Sequence, residues 1–206
     1  MMMKKIVLFS FLILASVSCA ESSKKAKECC NTKTSKQKDI PAEIPGTSVY
    51  QLGGEWTDQH GHQLGLESLA GKPVVMSMIF THCEYACPMM INDLKLIENQ
   101  FSQSEREHFR FVMLSFDHLR DTAQRLHDYA QTQGLGDNWI LLNGSADQVK
   151  ELSVVLNISF EMMENGSFSH ANRKLVLDKS GTIVFAQDGL QTKSEPVARA
   201  VRDLLE

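Results

Sequence analysis

A basic face is missing from this 206-residue chain. Residues 46–206 carry 13 Lys and Arg against 21 Asp and Glu, a net charge of −8. A phosphate backbone calls for the opposite sign, which argues against nucleic acid as a partner. Such an acidic balance is most often a solvated surface, and it also suits docking to a basic partner. Long apolar runs are scarce too. The stretch 6–15, apolar except at Ser10, is too short to span a bilayer, which needs about 20 residues. Cysteine occurs only at 19, 29, 30, 83 and 87, so the Cys-x-x-Cys spacing of thioredoxin-type relays is missing. No internal repeat is visible. From Gly46 onward there remain about 160 residues, which make one domain with a full core.

Residues 1–20 read as a targeting segment. Lys4 and Lys5 form a basic start, the apolar run follows, and the small residues Ser16, Ser18 and Ala20 surround Cys19 in the manner of a cleavage site. Ser16-Val17-Ser18-Cys19 resembles a bacterial lipobox, with Ser16 where Leu is usual. The expectation is a lipidated Cys19, with ordinary cleavage after Ala20 as the alternative. Either way the protein is exported and its thiols meet oxidants. The lipid form would sit on the periplasmic or extracytoplasmic side of a membrane. Residues 21–45 hold six lysines and almost nothing to bury, the composition of a flexible tether. Within it, Cys29-Cys30 is a disulfide to a partner, a transient metal site, or incidental.

The domain itself alternates. An extended stretch at 49–56 precedes a turn through Asp58-Gln59-His60-Gly61 and a helical turn of Leu64, Leu66 and Leu69 closed by Gly71. Residues 73–80 form a continuous apolar strand of the kind buried on both faces. Pro88 suits the first turn of the next helix, with Met89, Leu94, Ile97 and Phe101 on its apolar stripe. A strand at 109–116, a helix at 121–134, a strand at 139–142 and a helix at 146–156 follow, the last behind a Ser145-x-x-Gln148 capping box. Strands at 160–164 and 175–177 flank a loop with Asn165-Gly166. A turn at 178–181 leads to a strand at 182–186, and Ser194-Glu195-Pro196 caps a final helix. The sum is an α/β fold: a central sheet flanked by helices, with antiparallel strands in the C-terminal half.

The chemistry concentrates at Thr81-His82-Cys83-Glu84-Tyr85-Ala86-Cys87-Pro88, directly after the first buried strand. A Cys-x-x-x-Cys that opens a helix places two thiols among unpaired N–H groups, which favour thiolate. Residues four apart stack on one helix face, so the two sulfurs can grip a soft ion or close into a disulfide. The bland alternative is two small hydrophobes in a core, which an oxidising compartment makes a poor bet.

With that pair at the end of the first strand, the domain resembles a thioredoxin-like protein, and more closely the Sco/SenC family of copper chaperones for cytochrome c oxidase assembly. The family pattern Thr-His-Cys-Pro-x-x-Cys-Pro is met by Thr81-His82-Cys83 and Cys87-Pro88. The family's Asp-Pro-x-x-Asp-Thr after the second strand is met by Asp117-His118-Leu119-Arg120-Asp121-Thr122. A histidine ahead of a strand and an Asp-x-x-Gly turn is met by His170, with Asp178 and Gly181. The likeness runs from about residue 48 to the C-terminus. Glu84, Tyr85 and His118 depart from it and put tuning and partner choice in question.

The resemblance implies one copper per domain, held by Cys83, Cys87 and His170; without it, His170 would read as a surface loop histidine. Asp117 is expected to orient His170 or its loop, and His118 either joins the copper ligands or is a solvated loop residue. His82 is expected beside the site or stacked on Tyr85. His60, His62, His108 and His127 have no sequence company that suggests a site. Met89-Met90 and Met162-Met163 read as core filler. Two functions follow. One is copper delivery to the copper-site subunit of cytochrome c oxidase or another exported cuproprotein, or reduction of that site's cysteines. The other is a thiol:disulfide oxidoreductase with Cys83 and Cys87 as the redox pair and no stable metal. A peroxidase fits poorly, since peroxiredoxins use Thr-x-x-Cys and Thr81 stands two before Cys83. Structural zinc would need a fourth ligand, and none is evident.

Overall fold

The computed structural model describes residues 44–206. Cys19, Cys29, Cys30, the leader and nearly all of the tether lie outside the described residues. A seven-stranded sheet forms the centre, in the order β2-β1-β5-β4-β3-β8-β9. The strands are β1 (Trp56–Asp58), β2 (Gln63–Leu64), β3 (Val74–Ile79), β4 (Arg110–Ser115), β5 (Trp139–Asn143), β8 (Arg173–Leu177) and β9 (Ile183–Asp188). A separate hairpin pairs β6 (Phe160–Met162) with β7 (Phe168–His170). The helices are α1 (Ala86–Glu98), α2 (Gln103–Arg106), α3 (Ala123–Thr132), α4 (Ala146–Val155) and α5 (Glu195–Arg202).

β3 lies at the heart because every one of its residues is buried. It runs parallel to β4, with Ile79 opposite Ser115, so the two chains leave the sheet at the same level. β8 runs antiparallel to β3, with Val74 opposite Leu177, so β8 begins where β3 ends. Three chain segments therefore converge at one corner: the loop after β3, the loop after β4, and the segment entering β8. Ligands gather at such carboxyl ends of sheet strands.

The local chemistry accounts for most boundaries. Ser102 and Ser145 close capping boxes with Glu105 and Gln148 at the starts of α2 and α4. The Thr122 hydroxyl accepts the Arg125 N–H at the start of α3. Ser194 behaves differently: it stands at the N-cap of α5, yet its hydroxyl accepts from Gln100 Nε2 at 2.6 Å. The stretch at 49–56 is mostly not extended. Val49–Gln51 winds into a 3-10 turn because the Ser48 hydroxyl takes the Tyr50 N–H, and a strand starts only at Trp56. On α1 it is Met90, 1% exposed, that faces the core, and Met89 is half-buried. The strand at 160–164 pairs with β7 across the Asn165-Gly166 turn, where Gly166 adopts φ +75°. Leu175, Val176 and Leu177 instead enter the central sheet, where all three are buried.

One ion pair crosses the core. Lys174 and Asp93, 1% and 5% exposed, meet at 2.9 Å between β8 and α1. Lys174 Nζ also donates to the Gly189 carbonyl, and Asp93 accepts the Gln191 N–H. These bonds satisfy much of the pair's polar capacity, which a buried charge requires.

Candidate dithiol and imidazole site

Phe80 follows β3, and the chain turns at once: the Cys83 N–H donates to the Phe80 carbonyl at 3.2 Å. That turn lays the Cys83 sulfur across the start of α1. Tyr85, at the N-cap, gives no side-chain hydrogen bond, and the Cys83 sulfur accepts the Cys87 N–H at 3.3 Å instead. Cys87, in the first turn of α1, is fully buried, and its sulfur accepts the Phe80 N–H at 3.4 Å. The two sulfurs and an imidazole nitrogen of His170 all lie within 4.8 Å of one another. His170 Nε2 stands 4.0 Å from the Cys87 sulfur.

The imidazole is aimed. Its Nδ1 lies 3.2 Å from the Ala171 carbonyl, a contact that places the proton on Nδ1 and leaves the Nε2 lone pair toward the thiols. Phe116 and Phe80 flank the ring, with centroids at 4.9 and 6.1 Å. His170 ends β7, so the β6–β7 hairpin carries it into place.

The thiols are unequal. Donation from the Cys87 thiol lowers the Cys83 pKa to about 5; partial burial opposes the shift, and the N–H groups of Cys87, Tyr85 and Ala86 reinforce it. The Cys87 thiol is pushed up, by donating to Cys83 and by burial. Cys83 is thus the accessible thiolate and Cys87 the buried thiol.

Asp117 serves the site at one remove. It pairs with Arg120 through the side chain and the backbone N–H, and Arg120 Nη2 donates to the Gly166 carbonyl at 2.6 Å. The loop after β4 is thereby tied to the hairpin that presents His170. His118 does not join the thiols. Its carbonyl accepts from Asn143, and its side chain lines an apolar groove with Val149, Phe160 and Phe168. His82 turns toward Asp121, 3.5 Å away, rather than onto Tyr85. Met162 and Met163 are about half exposed on the hairpin and are not core.

Asp121 is the participant to which sequence reasoning gave no role. It is fully buried and accepts from the Thr81 N–H at 3.0 Å, the Thr81 hydroxyl at 2.5 Å and the Ser115 hydroxyl at 2.5 Å. Arg125 Nε adds a bond to the Thr81 oxygen at 2.9 Å. One carboxylate thus fastens the cysteine loop to the end of β4. The spacing Asp117-x-x-x-Asp121-Thr122 was the available signal.

A thioredoxin-like sheet with a dithiol and an imidazole at the carboxyl end of its central strand defines a class of thiol and metal proteins. Within it the chain belongs to the SCO1/SenC family, whose model matches residues 47–206. Relatives include the SCO1 protein homolog of Bacillus subtilis, 30% identical over 99 residues, which cover 47% of this chain and 51% of that protein. A Stutzerimonas stutzeri protein named for copper binding is 27% identical over 133 residues, 63% of this chain. The chain spans between 33% and 64% of the length of the curated relatives it matches. Among solved structures, a SCO1/SenC family lipoprotein from Bacillus anthracis superposes with a TM-score of 0.68 at 26% identity, covering 74% of this chain and 93% of that one. Arabidopsis thaliana ScoI with copper bound shares the fold, at a TM-score of 0.64 and 20% identity over 75% of this chain and 98% of that one.

Proposed function

We propose that this protein is an exported copper-binding assembly factor that holds one copper through Cys83, Cys87 and His170. The observation that carries the reading is the convergence of two sulfurs and an oriented imidazole nitrogen within 4.8 Å. That donor set suits copper: thiolate takes Cu(I), imidazole takes either oxidation state, and copper heads the affinity order for such sites. Family membership and copper-bound relatives from Arabidopsis, Bradyrhizobium and yeast support the metal. The acceptor is the copper-site subunit of cytochrome c oxidase or another exported cuproprotein. Support for that target is BsSco, a structural relative described as a member of a family of cytochrome c oxidase assembly proteins. The lipobox-like sequence and the B. anthracis lipoprotein support anchorage through a lipidated Cys19. Among the described residues no helix is long and apolar enough to cross a membrane.

Titration of the reduced protein with copper tests this reading. Wild type should take up one ion at the thiols, read from intense thiolate-to-Cu(II) absorption, and Cys83→Ala, Cys87→Ala and His170→Ala should each abolish tight binding there. A His170→Ala variant with wild-type affinity and spectrum removes the ligand assignment.

The unequal thiols support a second role, reduction of a partner's disulfide. The Cys83 thiolate attacks one partner sulfur, and the other partner sulfur leaves as a thiolate. Cys87 then displaces the partner from the mixed disulfide, leaving Cys83–Cys87 oxidised and the partner with two thiols. Since copper needs free thiolates, the Cys83–Cys87 disulfide should release the metal. Copper retained by the fully oxidised protein would refute that coupling.

A further inference from the structure

Across the sheet from the dithiol, the fold brings His127 to a pair of histidines, His60 and His62, that lies more than sixty residues earlier in the chain. We propose that His60, His62 and His127 form a second metal site, for a divalent first-row ion that prefers imidazole, such as Zn(II) or Cu(II). β1 is three strands from β3, roughly 14 Å at the usual strand spacing, so this site is separate from the thiols and independent of any copper they hold.

The β1–β2 hairpin holds two of the ligands in fixed relation. Gly61, at φ +83°, makes the tight turn between them. The buried Asp58 carboxylate accepts the N–H groups of His60 and His62, each at 2.8 Å. Its other oxygen lies 3.0 Å from His62 Nδ1. A carboxylate on Nδ1 turns the Nε2 lone pair outward, the arrangement found behind many metal-bound histidines. Gln59 locks the hairpin to β5, donating to the Trp139 carbonyl and accepting the Leu141 N–H.

α3 supplies the third ring. The His60 centroid is 5.7 Å from that of His127 and 6.1 Å from that of His62. Two imidazoles sharing one ion at about 2.0–2.1 Å hold their ring centres roughly 5–6 Å apart, so the His60–His127 spacing suits a common ion and the His60–His62 spacing lies at the edge of that range. The rings are not yet aimed at one point: His127 Nε2 pairs with the exposed Gln131 amide at 2.9 Å. His60 and His62 are exposed, and their rings turn without disturbing the core. An open depression between His60 and His127 is lined also by Gln59, Gly61, Ala123 and Gln124; His62 stands outside it, and its ring must turn past Gly61 to join the ion. Three imidazoles leave further positions to water, which suits a reversible site rather than a structural one.

The test uses the full chain carrying Cys83→Ala and Cys87→Ala, with the remaining cysteines alkylated, titrated with Zn(II) against a chromophoric chelator. One Zn(II) at micromolar affinity or tighter is expected, falling tenfold or more in His60→Ala and His127→Ala. Imidazole resonances of His60, His62 and His127 in the unsubstituted protein should shift together on adding Zn(II), which guards against folding defects in the variants. Equal affinity in the His60→Ala/His62→Ala/His127→Ala triple variant overturns the site. So does binding only at millimolar Zn(II), or shifts confined to other histidines.

Discussion

The dithiol corner and the β1–β2 face both gather side chains of types that can ligate metals, and they differ in what holds those side chains still. At the corner, Thr81, Ser115, Asp117 and Asp121 are all buried and bonded, so the cysteine loop is fastened to β4 from beneath. His170 is fixed by its own hairpin, by two aromatic rings and by the Arg120 link to Gly166. At the β1–β2 face only the backbone and Asp58 are fixed, and the rings of His60 and His62 project into solvent. A buried network imposes geometry on its ligand, whereas solvated rings adapt to one. The first arrangement suits a cargo that must be held in one geometry, and the second an ion in quick exchange with solvent.

The sharpest contrast between the two faces lies beneath the corner. Asp93→Ala strands the buried Lys174 ammonium between α1 and β8, and the expected loss is about 3–5 kcal/mol in urea unfolding. The double variant Asp93→Ala/Lys174→Met should recover most of it, which separates a stranded charge from general damage to the core. Asp121→Ala comes next. It leaves the Thr81 N–H and two hydroxyls without their acceptor, for a loss of about 3 kcal/mol and a loosened cysteine loop. Asp121→Asn, which keeps one acceptor oxygen, should fall between Asp121→Ala and wild type.

Cys83 offers a graded measurement. With a pKa of about 5 it is thiolate at neutral pH, so its alkylation by iodoacetamide should stay level from pH 8 to about 6. Below about pH 5 the rate should fall about tenfold per unit, equivalent to roughly 1.4 kcal/mol. Cys87, pushed up and buried, should resist alkylation throughout. A rate that climbs steadily to pH 9 would mean an ordinary thiol at Cys83.

The β1–β2 face should be the milder one. A Cβ at position 61 meets nothing within 4 Å, so Gly61→Ala is strained only by its positive φ, at about 1 kcal/mol. His62→Ala should cost less than about 0.5 kcal/mol, as expected of an exposed side chain outside the core. A larger loss would show that the Asp58–His62 contact stabilises the fold.

Much of the corner is legible in the residues themselves. An apolar run buried on both faces, then Cys-x-x-x-Cys with a proline inside the following helix, places two thiols at a helix start whatever surrounds them, because strand burial and helix capping are local rules. Ser145-x-x-Gln148 sets the start of α4 in the same way, whereas α2, a single turn behind Ser102, is too short for periodicity to announce. Periodicity misses the 3-10 turn within 49–56 and misses strand β7. A single serine cap overrides the apparent extension of the first, and three residues of mixed polarity carry too little periodicity to announce the second.

Composition and local pattern suffice for the thiol pair and the alternation that makes an α/β sheet. Which distant groups meet is a matter of tertiary contacts alone. They bring His170, 83 residues beyond Cys87, to the sulfurs, because β8 runs antiparallel to β3 and begins where β3 ends. They send His118, close in sequence to Asp117, into a groove away from the thiols. They also give His60, His62 and His127 the company their sequence positions hide. Local patterns fix what a residue can do within a few positions of itself. Contacts across the sheet depend on strand order and register, which no single segment encodes.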